Sequence, residues 1–241
     1  MATGRLVEVY LDLLSQPCRA VHILLNCAKI PHRVHTVALR KGEQTPDFTR
    51  LNPMQKVPVM VDDGFVLTES DAILKYLATK YYVPEHWYPR QPERRARVDE
   101  YTAWHHSNTR PHAAKVFILE VLLPAQSGTP VEEVRLVRAL SQLDDTLGKL
   151  ESMFLRRQPF LCGDDITVAD LLAVCELMQP VGSGRDILLD RPQLQSWRSR
   201  VQSAVGDAFD QAHAILYAIR DRRQAKLTFT VKVTAGGVSY L

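Results

Sequence analysis

Tyr10-Leu11-Asp12-Leu13-Leu14-Ser15-Gln16-Pro17-Cys18-Arg19 joins a strand to a helix across a short turn. Upstream, Val7, Val9 and Leu11 alternate with Glu8 and Tyr10, the period of a half-buried strand. Downstream, Cys18, Val21, Leu24, Leu25 and Ala28 recur at helical spacing over residues 17–29. Pro17 suits a first helical turn, where a missing N–H loses no partner. Ile30-Pro31 closes the helix, because the residue before proline avoids helical dihedrals. Ser15 therefore stands beside the free N–H groups and positive end of a helix. A hydroxyl there can cap the helix, or it can donate to an anion such as a thiolate.

Working outward, residues 33–38 alternate enough for a second strand, and a polar loop follows over 40–47. The apolar runs 57–61 and 65–67 flank Asp62-Asp63-Gly64, a strong hairpin signal. Thr68-Glu69-Ser70-Asp71 opens a helix with Ala72, Ile73, Tyr76 and Leu77 in phase. Pro84, Pro89 and Pro92 mark residues 83–92 as a linker. Helices follow: 94–108, ended or kinked by Pro111 and continued over 113–123, then a loop from Pro124 to Pro130. Val137, Leu140, Leu143, Leu147, Leu150 and Phe154 define an amphipathic helix. A helix apolar nearly all round starts at Thr167-Val168-Ala169-Asp170, and two more are expected near 193–204 and 208–223. Thr167 and Asp170 have capping-box spacing, so Asp170 is read as structural rather than as a catalytic acid. Residues 226–241 are β-branched and alternating, and predict a strand without a partner or a disordered end. The organisation expected is an α/β domain over 5–84, an all-helical domain over 93–225 and an atypical tail over 226–241.

The 241 residues are 46% hydrophobic and 24% charged, the balance of a globular protein with a packed core. A net charge of +3 gives no strong pull toward nucleic acid or membrane. Arg90, Arg94, Arg95 and Arg97 lack interleaved aromatics and read as a solvated face. No apolar stretch reaches the ~20 residues of a membrane span, and no charged n-region precedes an apolar run. Cys18, Cys27, Cys162 and Cys175 have no metal-type spacing and read as reduced thiols. The eight histidines form no metal signature, His105, His106 and His112 included. A cytoplasmic location without metal is the expectation.

The stretch from Leu11 to Ala20 resembles the N-terminal signature of the theta-class glutathione transferases. So do Asn52-Pro53-Met54-Gln55-Lys56-Val57-Pro58, Leu67-Thr68-Glu69-Ser70-Asp71-Ala72-Ile73 and Ala96-Arg97-Val98-Asp99-Glu100-Tyr101-Thr102-Ala103-Trp104. Gly163-Asp164-Asp165-Ile166-Thr167-Val168-Ala169-Asp170 and Glu176-Leu177-Met178-Gln179-Pro180-Val181-Gly182 fit as well. The resemblance implies a thioredoxin-like domain that binds glutathione and an all-α domain that binds a hydrophobic electrophile. It also implies a homodimer, with glutathione as co-substrate and no metal or prosthetic group.

It assigns roles residue by residue. Ser15 would donate a hydrogen bond to the glutathione sulfur, favouring the nucleophilic thiolate. Pro58 would be cis and present the Val57 backbone, with which a bound peptide could pair as an added strand. Lys56 would meet the glycine carboxylate. Ser70, at a helix N-terminus, suits the γ-glutamyl carboxylate, and Glu69 suits its ammonium. Arg110 would face the electrophile and steady an anionic leaving group. Gln44 is a departure, since the matching loop in theta-class enzymes usually carries a histidine and is one residue longer. The implied reaction is conjugation of glutathione to a hydrophobic electrophile, with hydroperoxide reduction as an extension. Two other readings are a weak or inactive transferase-like scaffold, and a glutaredoxin-like thiol oxidoreductase using Cys18. The second suffers because Ser-x-x-Cys inverts the cysteine-first order of such enzymes.

Overall fold

The computed structural model describes residues 6–38 and 45–235, with 226–235 described by backbone alone. The alternation around Val9 becomes β1 (Val7–Leu11), with Val7, Val9 and Leu11 buried. β2 (His32–Thr36) pairs parallel to it, and β3 (Val59–Asp62) pairs antiparallel on the other side. β4 (Phe65–Thr68) completes a sheet of order β2-β1-β3-β4. Asp63 and Gly64 have φ of 51° and 84°, the left-handed pair of a two-residue hairpin turn. Gly64 meets that requirement without strain.

α1 (Gln16–Cys27) and α3 (Ser70–Lys80) pack against each other, and α1 also packs on α8 (Val168–Leu177). Between β2 and β3 lies a short helix, α2 (Pro46–Leu51), in a stretch expected as loop and connection. The Thr45 side chain accepts from the Phe48 N–H, Pro46 sits in the first turn, and Phe48 is buried. Threonine followed by proline is a cap signal too short to carry periodicity.

The linker 83–92 is packed rather than free. A 3₁₀ turn (Glu85–Trp87) buries Trp87, and His86 Nδ1 lies 2.6 Å from the Ile166 carbonyl. α4 (Pro92–Ser107) and α5 (Thr109–Phe117) are separated at Asn108, not at Pro111. Asn108 has φ −126° and ψ −81°, and Pro111 falls in the first turn of α5, where its missing N–H costs little. α5 runs through a π-helical segment (Ile118–Leu122) into α6 (Leu123–Ser127). The expected loop thus begins after Ser127. Pro124 is tolerated as a first-turn residue, and Gly128, at φ 73°, ends the helix.

α7 (Glu133–Lys149) also ends in a π-helical segment (Leu150–Leu155). α8 is buried at every position, with Thr167 and Asp170 forming the capping box. A 3₁₀ turn (Gln179–Ser183), α9 (Pro192–Val205) and α10 (Ala208–Ala235) follow. α10 replaces the strand expected after residue 226 as far as Ala235. Its β-branched residues cost well under 1 kcal/mol each in a helix. Extending a helix already formed adds a hydrogen bond per residue, whereas a lone strand has no partner. No helix of the described residues is long and apolar enough to cross a membrane.

Candidate active site

The turn before α1 is built by its own backbone. Asp12 Oδ1 accepts from the Leu14 N–H at 2.8 Å, and the Ser15 N–H donates to the Asp12 carbonyl at 2.9 Å. Ser15 occupies the N-cap position, with φ −80° and ψ 123°, yet its hydroxyl makes no capping bond. The hydroxyl instead adjoins the Cys18 thiol. Capping therefore does not consume the Ser15 side chain. Cys18 is wholly buried, and burial pushes its thiol up to about 11. A thiol so protonated is a poor nucleophile. Cys18→Ser should keep glutathione conjugation within about twofold of wild type, measured as kcat/KM. A loss of activity would support the oxidoreductase reading.

Arg19 supports the site from beneath, and periodicity did not single it out. It is completely buried on α1. Its guanidinium donates to the carbonyls of Leu13 (2.9 Å), Leu14 (3.3 Å) and Cys175 (2.7 Å), and to Gln179 Oε1 (2.5 Å). It thereby ties the turn before Ser15 to the end of α8. A charge inside the apolar run from Pro17 to Leu25 is the signal that could have revealed it.

The Val57–Pro58 peptide is cis. Val57 and Pro58 are buried just before β3, Lys56 is exposed, and Asn52 Nδ2 donates to the Lys56 carbonyl at 2.8 Å. Glu69 has φ 65°, strained for a residue with a Cβ. That backbone leads into α3, whose first residue, Ser70, is 3% exposed, while the Glu69 side chain is exposed and makes no capping bond.

These pieces converge. A recess of about 40 Å³ is bordered by Lys56, Val57, Pro58, Glu69, Ser70 and Arg110. It adjoins a cleft of about 450 Å³ that shares Lys56, Val57 and Arg110 and adds Ser15, Gln16 and Gln179. The far wall of the cleft is apolar: Ala114, Phe117, Ile118 and Leu122, from α5 and its π-helical extension. Ser15 thus lies where a polar groove opens onto an apolar wall. The turn after α8 approaches that wall closely, since a Cβ on Gly182 would lie 2.7 Å from Phe117 Cε2. The carboxylate of Glu120, in the π-helical segment, accepts from Arg185 and from the Ser183 hydroxyl at 2.6 Å. Of the remaining expected residues, Asp170 sits at the start of α8 away from the cleft, and Gln44 lies outside the described residues.

A separate hollow of about 290 Å³ near α10 carries Arg185, Arg198 and Arg220. Each is paired, with Glu120, Asp186 and Asp221 respectively. Among the described residues no group of His, Cys, Asp or Glu side chains is placed to hold a metal.

A four-stranded thioredoxin-like sheet with a groove at its strand ends, beside a helical domain supplying an apolar wall, is the architecture of glutathione transferases. Two family models match, Glutathione S-transferase, N-terminal domain, over residues 15–80 and Glutathione S-transferase, C-terminal domain, over residues 111–204. The chain belongs to this family. Over 229 residues it is 46% identical to glutathione S-transferase theta-1 of Bos taurus and 45% identical to that of Homo sapiens. Each alignment covers 94% of this chain and 95% of the relative. Human glutathione-S-transferase T1-1 in its apo form matches with a TM-score of 0.85 at 44% identity, over 89% of this chain and 91% of that one. A human theta-class enzyme in complex with the glutathione conjugate of 1-menaphthyl sulfate matches at 0.87 and 40%, over 92% of each. Within the family the likeness is to the theta class, and the activity is glutathione conjugation.

Proposed function

We propose that the chain conjugates glutathione to hydrophobic electrophiles with Ser15 as the donor to the reacting sulfur. The observation that carries this reading is the Ser15 hydroxyl, free of capping duty, at the junction of polar groove and apolar cleft. Glutathione lies along the groove. Its γ-glutamyl carboxylate meets Ser70 and the N-terminus of α3, where free N–H groups and the helix dipole favour an anion. Its ammonium meets Glu69, its backbone pairs with Val57, and its glycine carboxylate meets Lys56. Gln44 stands near that end in the resemblance and serves there as a hydrogen-bonding substitute for histidine.

The thiol proton leaves to solvent, and the Ser15 hydroxyl donates to the thiolate that remains. The thiolate attacks the electrophilic carbon, the S–C bond forms, and the leaving group departs with its electron pair beside Arg110. Holding both reactants in one cleft supplies the second part of the rate gain. On an organic hydroperoxide the same thiolate attacks the terminal oxygen: the S–O bond forms as the O–O bond breaks, and the departing alkoxide takes a proton from solvent, giving an alcohol and a glutathione sulfenic acid. A second glutathione condenses with that acid to give the disulfide and water. Glutathione is a co-substrate, with no metal or prosthetic group in these steps. The domain limits of 5–84 and 93–225, a homodimer and a cytoplasmic location complete the proposal.

The test is glutathione turnover against alkyl halides, aryl halides, sulfate esters and organic hydroperoxides. Absence of turnover on all four would sink the reading and favour a scaffold. Within an active enzyme, Ser70→Ala should raise KM for glutathione about tenfold or more with kcat little changed, because a hydrogen bond to a charged group contributes ~1.5–3 kcal/mol. An unchanged KM would remove Ser70 from the glutathione site.

A further inference from the structure

Glu176 lies on α8 behind the cleft, 2% exposed, with its Oε2 buried and lacking a hydrogen-bond partner. A buried carboxyl in that state must stay neutral or find a cation. From α1 it is faced by the Gln16 amide, which hydrogen-bonds to it, and by Arg19; from α5 by Arg110; and from α4 by Tyr101, while His105 of α4 faces Arg110 and is held neutral by burial, pushed down to about 3. Cys175 is its neighbour on α8, and His213 of α10 faces Arg19. Arg19 is already engaged by three main-chain carbonyls and Gln179, none of them Glu176. Arg110 makes no hydrogen bond or ion pair among the described residues, and it borders both the recess and the cleft. It is the cation left for Glu176, and also the cation left for an anion in the cleft.

We infer that Glu176 and an anionic electrophile compete for the Arg110 guanidinium, so that Glu176 is a positioning residue setting the pH range in which the cleft accepts anionic substrates such as sulfate esters. The inference rests on Arg110 facing the electrophile and deepens that reading. Burial pushes the Glu176 carboxyl up to about 8, against the pull of Arg110, Arg19 and Gln16. Below that pH Glu176 carries a proton, and the Arg110 charge is uncompensated and open to the ligand. Above it the carboxylate draws the guanidinium toward α8. Linkage makes the effect reciprocal: an anion bound at Arg110 holds the proton on Glu176.

The test uses an unreactive probe, an arylmethyl sulfonate, with the uncharged arylmethyl methyl sulfone as its control. Both are titrated by calorimetry into the full chain saturated with S-methylglutathione, between pH 6.5 and 9.5. The sulfonate does not titrate in this range. Its affinity relative to the sulfone should fall about tenfold as pH rises through the Glu176 transition, a typical coupling between sites. In Glu176→Gln the ratio should be flat and stay at the low-pH value. In Arg110→Gln it should be flat and low. A wild-type ratio independent of pH would overturn the inference, and so would a pH dependence that survives in Glu176→Gln. If Glu176→Gln does not fold, a wild-type ratio independent of pH still overturns the inference. Sulfone binding without a pH-dependent sulfonate ratio defeats only this inference. Failure of both probes to bind defeats the electrophile site itself.

Discussion

Ser15→Ala should lower kcat/KM for glutathione conjugation by roughly 10²–10³-fold, the usual effect of deleting one preorganised donor to a developing or bound anion. The protein should remain as stable as wild type. That second expectation follows from the geometry, because the Ser15 side chain makes no capping bond to α1 and its removal leaves no helix N–H newly unpaired. The lost rate should return in part as pH rises. With the hydroxyl present, the thiolate is favoured and the bound thiol titrates lower; without it the titration moves up, about 1.36 kcal/mol of lost interaction per unit. At high enough pH the thiolate forms unaided. Stopped-flow titration of thiolate absorbance in the binary complex reads this shift directly. Affinity for S-methylglutathione, which has no thiol to stabilise, should change little. Full activity in Ser15→Ala, or equal loss at every pH, would remove Ser15 from its proposed role.

The parts of this site that are local in the chain were legible in the sequence. Ser15 lies where a period of two gives way to a helical period, and Glu69-Ser70 lies where a hairpin gives way to a helix. Such junctions are written in a few adjacent residues. The hairpin at Asp63-Gly64 needed only a pair that tolerates positive φ. The supports of the site are long-range, and a local oddity such as the charge of Arg19 within an apolar run does not say what the side chain reaches. Arg19 reaches Cys175 and Gln179 across more than 150 positions, and Glu176 meets Gln16 and Arg110 only because α1, α5 and α8 pack together. The π-helical extension of α5, which forms the apolar wall, likewise follows from packing rather than from period. Where periodicity misled, in the strand expected after residue 226, it described the side chains without regard to what could pair with them. α10 follows the rule that a helix already nucleated is easier to extend than a strand is to start alone.

Asp170→Ala should produce the largest loss of stability among these substitutions while leaving the chemistry of the folded enzyme nearly intact. Its carboxylate is fully buried and surrounded by donors. Oδ1 accepts from the Leu161 N–H at 2.9 Å and from Trp197 Nε1 at 2.8 Å. Oδ2 accepts from the Thr167 N–H at 3.0 Å and its hydroxyl at 3.2 Å. Three pieces of structure meet there: the segment before α8 at Leu161, the α8 cap at Thr167 and Trp197 of α9. Burial pushes the carboxyl up, so the charge itself costs energy. Alanine removes that cost, but strands the N–H groups of Leu161, Thr167 and Trp197 in a dry interior. Each stranded donor costs about 1–3 kcal/mol, while the Thr167 hydroxyl still caps α8 by accepting from the Ala169 N–H at 3.2 Å. A net loss of about 3–5 kcal/mol is the expectation, which for a chain of this size lowers Tm by roughly 10 °C. Asp170→Asn should not rescue it, because one of the two acceptor oxygens becomes an amide that faces donors. Below the transition kcat/KM should stay within about twofold of wild type, since the cleft is walled by α5 and by Gln179 of the turn after α8, and Asp170 lines none of it. Thermal unfolding followed by the combined fluorescence of Trp87, Trp104 and Trp197, set beside kcat/KM below the transition, separates the two effects. A Tm within 2–3 °C of wild type would mean that water replaces the carboxylate at no great cost. A folded variant with activity lost in proportion to Ser15→Ala would mean that the α8 cap is coupled to the reacting sulfur after all.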